Sequence, residues 1–425
     1  MGMLFKIPAT PSYWISTFGG PSYDYGVSVA PSNDGVYVIV NNFDDGSALV
    51  KYSPTGSIAW QRRLGGTSTY MRHVCTHTDG SVYVVGQTVE QGAGGGDLLV
   101  VKYTALGSVV WQRAIGGISS DDGIGIDVDA AGDVYVSGTT FSAGAGNADT
   151  YVAKISNAGD VLWQRVIGGA STDSGGHVAV GTDASIYVTM RTASQGAGSF
   201  DAALIKYGTL GDIVWQRALG GVGSESAGQV VVDASGGVYV VGSTASQGAG
   251  SNDLLVAKYD SSGTVLWQKA LGGLTDDNAV SVTTDTNNNV YVVGYFDSGG
   301  SGDYDTVIVK LSSSGSVVWQ RAFGGLYGEY GYGVAIGPQG ELYVVGETDP
   351  VGDYTNDVLV VKLPSDGSKT GTYGYFTYQA TTLTETTTTL TETTTTLTGS
   401  TPSLTQTTTT LTETSPSYVA VTTNI

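Results

Sequence analysis

The stretch Trp111-Gln-Arg-Ala-Ile-Gly-Gly117 decides the fold, because close copies of it recur along most of the chain. A degenerate copy, Trp14–Gly20, stands near the N-terminus. From Trp111 onward the copies are spaced by 52 residues, and the two earlier intervals are 46 and 51 residues. A fixed period of this length indicates one supersecondary unit repeated in tandem. The other complete copies begin at Trp60, Trp163, Trp215, Trp267 and Trp319.

Each repeat predicts four short β-strands. Runs such as Val238-Tyr-Val-Val-Gly242 are rich in β-formers, and Gly, Asn and Asp stand at the turns between runs, where a positive φ is needed. The run Leu98-Leu-Val-Val101 is apolar at every position, which is typical of a sheet covered on both faces. Apolar residues at helical spacing are missing, so we expect the chain to be all-β up to about residue 365.

Four antiparallel strands in about 40–50 residues correspond to one blade of a β-propeller. The last repeat lacks a Trp-Gln strand, and the segment Tyr13–Gly20 can supply it. We therefore predict a seven-bladed β-propeller over residues 13–365 that is closed by an N-terminal strand, with an arm at 1–12 and a tail at 366–425. The number of blades follows from one recurring tyrosine, at Tyr37, Tyr83, Tyr135, Tyr187, Tyr239, Tyr291 and Tyr343.

The repeat resembles a known family at this point. The order of Asp-x-x-x-x-Lys, Trp-x-x-x-x-Gly-Gly and Gly-x-Val-Tyr-Val-x-Gly is similar to that of the short bacterial and archaeal β-propeller repeats, over residues 13–363. Blade one departs most, because Asn41–Gly46 replaces a longer Ser/Gly loop. The resemblance implies a propeller. It implies no single activity, because members of the family do not share one, so function must come from sites.

Composition narrows the setting. The chain has 38 acidic and 18 basic side chains and a net charge of −20, which disfavours nucleic acid and anionic lipid as partners. No stretch approaches the roughly 18–20 apolar residues of a membrane span, and residues 1–8 lack the apolar segment of a signal peptide. The lone Cys75 excludes an internal disulfide framework. We expect neither nucleic-acid binding nor membrane insertion.

A periodic acid suggests a metal site. Four residues after the Gly-Gly pairs stand six carboxylates, and in propellers this loop leads to the innermost strand, close to the axis. A ring of carboxylates at one mouth of the channel would suit Ca²⁺, which binds several carboxylate oxygens. The alternative is that each side chain caps backbone N–H groups in its own turn. The six are Asp24, Asp121, Asp173, Glu225, Asp277 and Glu329.

Blade two breaks the acidic ring with Tyr70, Arg72 and His73, so an asymmetric site is most plausible there. Aromatic residues at loop tips gather in blades one, two and seven, and tyrosine-rich loops are good contact surfaces for protein or sugar. The predicted ligand- or partner-binding residues are Tyr23, Tyr25, Tyr70, Arg72, His73, Tyr327, Tyr330 and Tyr332.

The C-terminal segment has a different composition. Threonine dominates residues 381–414, and leucine recurs every seven residues. One apolar residue per heptad in a threonine background is not a coiled coil. The segment predicts an extended stalk, and threonine-rich strands add readily to sheet edges, so we expect residues 375–425 to join other subunits. The leucines are Leu383, Leu390, Leu397, Leu404 and Leu411.

These features predict a non-enzymatic structural or adhesive protein of an extracellular assembly, most simply a virion spike, tail fibre or decoration subunit that contacts host-surface glycan or protein. The Gly-x-Ser-x-Gly, Walker and Cys-x-x-Cys motifs are all missing from the sequence. The alternative is a secreted glycan-binding or polysaccharide-active propeller that works at the acidic, tyrosine-rich face.

Overall fold

The computed structural model of the chain is a seven-bladed β-propeller, so the predicted fold class is confirmed. The innermost strands of successive blades contact one another, and the innermost strand of the last blade contacts that of the first. Within the described residues there is no helix, and hence none that could cross a membrane. The structure describes residues 13–19, 22–42, 44, 46–297, 304–349, 352, 355–381, 383–387, 391–394, 398–400, 405–408, 413–414 and 421–424. The predicted arm at 1–12 lies outside these ranges.

The first strand, β1 (Trp14–Phe18), belongs to the last blade, and the first four blades follow it in order. From the axis outwards, blade one contains β2 (Asp24–Ser32), β3 (Gly35–Asn42), β4 (Gly46–Tyr52) and β5 (Ile58–Leu64). Blade two contains β6 (Thr69–Thr76), β7 (Val82–Thr88), β8 (Asp97–Tyr103) and β9 (Val109–Gly116). Blade three contains β10 (Asp121–Val128), β11 (Val134–Thr140), β12 (Asp149–Ile155) and β13 (Val161–Gly168). Blade four contains β14 (Asp173–Val180), β15 (Ile186–Thr192), β16 (Asp201–Tyr207) and β17 (Ile213–Gly220).

The remaining blades repeat this order, and the tail adds eight short strands. Blade five contains β18 (Glu225–Val232), β19 (Val238–Thr244), β20 (Asp253–Tyr259) and β21 (Val265–Gly272). Blade six contains β22 (Asp277–Thr284), β23 (Val290–Phe296), β24 (Asp305–Leu311) and β25 (Val317–Gly324). Blade seven contains β26 (Glu329–Ile336), β27 (Glu341–Thr348), β28 (Asp357–Pro364) and β1. The tail strands are β29 (Gly371–Tyr373), β30 (Phe376–Ala380), β31 (Thr384–Thr387), β32 (Thr391–Thr394), β33 (Thr398–Ser400), β34 (Thr405–Thr408), β35 (Glu413–Thr414) and β36 (Val421–Asn424).

The ring closes through the N-terminal strand. β1 pairs antiparallel with β28, from Trp14 opposite Lys362 to Phe18 opposite Val358. The indole of Trp14 is fully buried and stacks on Tyr52 of blade one, with 5.5 Å between ring centroids. The N-terminal strand therefore completes blade seven, as the sequence predicted, and also packs against blade one.

Apolar side chains fill the space between neighbouring blades. One such cluster combines Val85 and Leu98 of blade two with Val136 and Tyr151 of blade three. Both faces of every blade are covered in this way, which is why the central strands are apolar at nearly every position. The seven recurring tyrosines lie in these interfaces at 0–1% exposure. A lysine ammonium from the third strand of the same blade lies over each of their rings, 4.7–5.5 Å from the centroid.

The Trp-Gln-Arg motif joins each blade to the next, a contact that we call the blade clasp. The ring of Trp111 lies against Gly159, in the turn before the outermost strand of blade three. Trp111 Nε1 donates to the Asn157 carbonyl at 3.0 Å, and Arg113 Nε donates to the Gly159 carbonyl at 2.8 Å. Gly159 has φ +92°, and a Cβ there would lie 3.0 Å from the indole, so glycine is required on both grounds.

In blades two to six the first glycine of the Gly-Gly pair makes room for an aspartate of the same blade. Asp97, for example, begins β8, and its Oδ2 accepts from the Ala93 amide of the preceding Gly-rich loop at 3.1 Å. A Cβ on the matching glycine would lie only 1.2–2.0 Å from Oδ1 of the aspartate. The motif therefore ends in glycine because a carboxylate occupies the space of a side chain. These glycines are Gly116, Gly168, Gly220, Gly272 and Gly324.

The tail adds one strand to the outer edge of every blade. β30 pairs with β25 of blade six, and β31 to β35 pair in turn with the outermost strands of blades five, four, three, two and one. β36 then pairs with β1 in blade seven. The tail thus runs once around the ring, in the direction opposite to that of the blades.

The sequence predicts a stalk at 366–425 that reaches other subunits, and that role stays a prediction. The outermost strand of a blade presents a row of backbone N–H and C=O groups, and an extended threonine-rich strand can pair with it. The described tail strands pair with the blades of their own chain, so these edges are already filled. Most of the residues between β31 and β36 lie outside the described ranges, and assembly through residues 375–425 stays a prediction.

Substituting the two glycines of one pair separates their roles. A Cβ on Gly272 would lie 1.9 Å from Asp253 Oδ1, whereas on Gly273 the nearest atom is 3.7 Å away. Gly272→Ala should lower the free energy of unfolding in urea by about 1–3 kcal/mol, the usual cost of overpacking. Gly273→Ala is the matched control and should stay within about 0.5 kcal/mol of wild type. Equal losses would contradict the role assigned to the first glycine.

Candidate functional site

Every innermost strand carries a β-bulge at the same place in the repeat. The register of β6 against β7, for example, shifts between Met71 and His73. A bulge re-aims the side chains beside it, and here it directs them toward the axis. The scaffold positions hardly change from blade to blade, but the bulge position is occupied by four different residue types, Ser, His, Gly and Gln. It is occupied by Ser28, His73, Gly125, His177, Gln229, Ser281 and Gly333.

Polar side chains from four blades meet at the axis, and we call them the axial cluster: His73, His177, Gln229 and Ser281. The two imidazole rings pack edge to face with centroids 4.9 Å apart. Gln229 Oε1 accepts from Ser281 Oγ at 2.6 Å and from the Val282 amide at 2.9 Å.

His73 contacts Gln229 and the backbone of Ile126. The amide nitrogen of Gln229 points to His73 Nε2, 3.3 Å away. Nδ1 of His73 lies 3.2 Å from the carbonyl oxygen and 3.3 Å from the amide nitrogen of Ile126.

The axial cluster separates two cavities. The outer one is about 240 Å³ and is lined by Arg72, Tyr332 and the axial cluster itself. The inner one, about 280 Å³, lies further along the same strands and includes Asp127. His73 and Gln229 line both cavities, so their hydrogen bond crosses the channel between them.

The axial cluster is uncharged at neutral pH. Burial lowers the pKa of His73 to about 4, and burial together with the neighbouring His73 lowers that of His177 to about 3. Burial raises the pKa of Asp127, in the inner cavity, to about 6. The outer cavity therefore offers neutral hydrogen-bonding groups, and its one formal cation is Arg72 at the mouth.

Six tyrosines form a continuous aromatic cluster beside the outer cavity, which we call the tyrosine face. Tyr332 joins it to the cavity lining. Its ring centroid lies 6.3 Å from that of Tyr330 and 6.4 Å from that of Tyr25. Neighbouring centroids across the face are 5.1–6.5 Å apart, within the range of favourable aromatic pairs. The members are Tyr23, Tyr25, Tyr295, Tyr304, Tyr330 and Tyr332.

A buried carboxylate lies under the tyrosine face. Glu347, only 2% exposed, accepts from the hydroxyl of Tyr23 at 2.6 Å and from that of Tyr332 at 3.1 Å through Oε1. Its Oε2 has no hydrogen-bond partner among the described residues. Burial raises the pKa of Glu347, and burial beside this carboxylate raises the pKa of Tyr23 far above its ordinary value. Glu347 thus fixes the rings of Tyr23 and Tyr332 from beneath the face.

At the rim of the same face, Arg72 forms an ion pair with Asp122 of blade three, with 2.8 Å between Nη2 and Oδ2. The Arg72 side chain is 48% exposed. The tyrosine face therefore combines aromatic rings, a buried carboxylate and an accessible guanidinium at one end of the propeller.

The structure brings together most of the predicted binding residues. Tyr23, Tyr25, Tyr330 and Tyr332 share the tyrosine face, and Arg72 and His73 line the outer cavity beside Tyr332. Tyr70 lies close enough to Tyr25 to affect its pKa. Tyr327 instead packs its ring against Gly352 of blade seven.

Sequence analysis missed Tyr295, Tyr304, Glu347, His177 and Gln229. A signal for two of them was present. The penultimate residue of the second strand differs in every blade, while the scaffold around it repeats, and Tyr295 and Glu347 occupy that position. The position runs through Asn41, Gln87, Thr139, Arg191, Ser243, Tyr295 and Glu347.

The six acids predicted to form a calcium ring cap separate turns instead. They begin the innermost strands and are 0–2% exposed. In five blades the carboxylate accepts from the amide of the second glycine of the Gly-Gly pair, four residues earlier, at 2.6–2.8 Å. Each of these carboxylates is therefore bound within its own turn and is not directed to another blade. The five are Asp121, Asp173, Glu225, Asp277 and Glu329; the sixth, Asp24, accepts from Asn42 Nδ2 at 2.7 Å.

The predicted metal site is therefore not assembled. Among the residues that the structure describes, no group of three or more His, Cys, Asp or Glu side chains could hold a metal ion. The capping alternative accounts for the period of the six acids.

Two of the six acids, Asp277 and Glu329, and the neighbouring Asp305 bind protons unusually tightly. Burial raises the pKa of Asp277 and of Asp305 to about 6, and burial together with the nearby charge of Asp305 raises that of Glu329 to about 8. A folded-state pKa above the unfolded value means that the stabilisation is present in acid and disappears as the pH rises through the folded pKa.

The free energy of unfolding should consequently fall between pH 5 and 9. Glu329→Gln keeps one oxygen for the Gly325 amide and presents an NH2 group that can donate to the Thr348 hydroxyl, and it removes the titration. The slope of its free energy of unfolding against pH should therefore be shallower by at most about 1.4 kcal/mol per pH unit. Asp260→Asn is the control, because the pKa of that carboxyl is already below its ordinary value. Urea unfolding across this range measures the slopes. Parallel curves for wild type and Glu329→Gln would contradict the assignment.

Known proteins resemble this chain distantly. No family model matches it. The regulatory protein FlaEY of Caulobacter vibrioides is 25% identical over 290 residues, which cover 57% of this chain and 29% of FlaEY. The chain thus spans less than a third of that relative's length. Among solved structures, the polysaccharide lyase Uly1 is 9% identical with a TM-score of 0.49, covering 85% of this chain and 94% of its own. A puromycin hydrolase is 14% identical with a TM-score of 0.49, covering 86% and 56%.

Proposed function

We propose that the chain is a non-enzymatic adhesive protein of an extracellular or virion surface, which contacts its target through the tyrosine face. One observation carries the proposal. The propeller is close to seven-fold symmetric in its scaffold, yet aromatic side chains gather at a single place on one end. Blades four and five have Ser174 and Ser226 where blades one and seven have Tyr25 and Tyr330. Stability does not require this asymmetry.

The chemistry of the face suits sugar rings. Tyrosines supply large, rigid contact area together with hydroxyl groups, and lose little conformational entropy on binding. Arg72, whose side chain is 48% exposed, supplies donors with which sugar hydroxyls can pair, and the buried Glu347 holds the rings of Tyr23 and Tyr332 in place. We therefore propose a host-surface or other extracellular glycan as the target.

Binding on the surface, and not inside the channel, follows from size. The outer cavity of about 240 Å³ is below the roughly 300–1,000 Å³ of typical small-molecule sites. His73, Gln229 and Ser281 are hydrogen-bonded to one another, and the low pKa of both histidines makes them weak bases. These features support a scaffold role for the axial cluster and a non-enzymatic role for the protein.

Charge supports the same setting. A net charge of −20 disfavours nucleic acid as the target. The proposed virion or extracellular location rests on composition alone.

Glycan-array binding and surface plasmon resonance with the full-length protein test the proposal. Tyr330→Ser gives blade seven the residue of blades four and five, and should weaken glycan binding at least about tenfold, as expected for an aromatic contact at a hot spot. Ser174→Ala, at the same place in the repeat, is the matched control and should bind like wild type.

Equal binding by wild type and Tyr330→Ser would contradict the tyrosine face as the contact. Turnover of a bound glycan into shorter products would contradict the non-enzymatic role and favour the polysaccharide-active alternative.

A further inference from the structure

The register of the tail strands advances by seven residues from one blade to the next. The basic residue that follows Trp-Gln on the outermost strand of each blade shows this advance. The residues paired with Arg321, Lys269, Arg217 and Arg113 are Ala380, Thr387, Thr394 and Thr408. The intervening blade, blade three, keeps the same frame, because Val166 pairs with Ser400.

The sequence of the tail has the same period. Leucine recurs every seven residues from Leu383 to Leu411. Seven residues of extended chain reach at most about 23–25 Å, and in this structure that length takes the tail from one outer edge to the next. One heptad therefore corresponds to one blade, both in sequence and in space.

The first step shows how a heptad is recognised. Gln320, between Trp319 and Arg321, accepts from the Leu383 amide at 2.7 Å through Oε1 and donates to the Leu383 carbonyl at 3.3 Å through Nε2. The Leu383 side chain is 8% exposed and belongs to the apolar cluster between blades five and six. The Gln320 side chain thus forms hydrogen bonds with both backbone groups of one leucine of the tail.

An ion pair adds to this recognition. Lys269, the residue after Trp-Gln in blade five, lies 2.6 Å from the Glu385 carboxylate. Glu385 is the glutamate of the Leu-Thr-Glu heptad. Leucine, glutamate and backbone of this heptad are all engaged by the Trp-Gln-Arg/Lys motifs of two adjacent blades.

From this geometry we propose that the outer rim of the propeller is a repeated peptide-binding groove for the chain's own tail. Blades five to one each bind one seven-residue unit that begins with leucine, and the groove selects the tail by this period. The bound tail acts as a strap that covers the outer edge of every blade. In the Trp-Gln-Arg motif of blade six, Arg321 donates to Gly367 in the neighbouring turn, and Gln320 forms hydrogen bonds with the strap.

The strap gains its strength from repetition. One short strand with a single buried leucine contributes little alone, but linked heptads make each further step intramolecular and raise the effective concentration. Each bound strand also covers an outer edge that would otherwise be open to pairing with another chain. A strap fixed at all blades resists local opening at any one of them.

Two deletions in the full-length chain test whether the period is recognised. Deleting Thr388, Thr395 and Thr409 shortens three heptads to six residues, whereas deleting residues 391–397 removes one heptad and keeps the period. Hydrogen exchange of the outer-strand amides is the readout, and near-UV circular dichroism checks that the propeller is folded. In the first variant, the outer-strand amides of blades four to one should exchange at least about 100-fold faster than in wild type. The second should lose protection in one blade only.

The same loss of protection in both variants would overturn the proposal, and so would unprotected outer-strand amides in wild type. A second measurement holds even if the deletions disturb folding. Gln320→Ala should speed exchange of the Leu383 amide at least about tenfold, and Gln379→Ala, at an exposed glutamine of β30, should not. Equal exchange rates of the Leu383 amide in these two variants would also overturn the hydrogen bonds assigned to Gln320.

Discussion

The rest of the structure depends on the blade clasp, in which the Trp and Arg of one blade hold the last turn of the next. In five of the seven blades the tryptophan Nε1 donates to a carbonyl of the neighbouring turn at 3.0–3.2 Å. One of these five is Trp14, which donates to Pro54 of blade one. The contact that joins consecutive blades therefore also closes the ring, and the ring in turn aligns the bulges of the innermost strands around one axis.

This repetition makes the site recognisable. Positions that maintain the ring carry the same residue in almost every blade, as the buried tyrosines and the Gly-Gly pairs do. The bulges and the ends of the second strands are not needed to maintain the ring and can vary. His73, Gln229, Tyr295 and Glu347 lie at these positions. The candidate site is thus built from the positions that vary between repeats. The invariant positions hold these residues in place and are not part of the site.

The sequence predicted the blades and their closure because those features depend on local patterns. Val-Tyr-Val-Val-Gly runs predict buried strands, and a missing Trp-Gln strand at one end of the repeats predicts that Trp14 supplies it. The acids illustrate the limit. Their period was clear, but whether Glu225 reaches its own turn or the channel depends on a side-chain rotamer. The tail shows the same limit, since its heptads were visible while the spacing of the blade edges exists only in the folded ring.

A crystal structure of the full-length chain tests most directly whether one recurring contact both joins and closes the ring. The account predicts seven sheets, with the Trp14 indole stacked on Tyr52 and hydrogen-bonded to the Pro54 carbonyl in the same manner as Trp111 on its own neighbour. Six or eight sheets, an open ring, or a Trp14 side chain outside the interface between the last and first blades would contradict it.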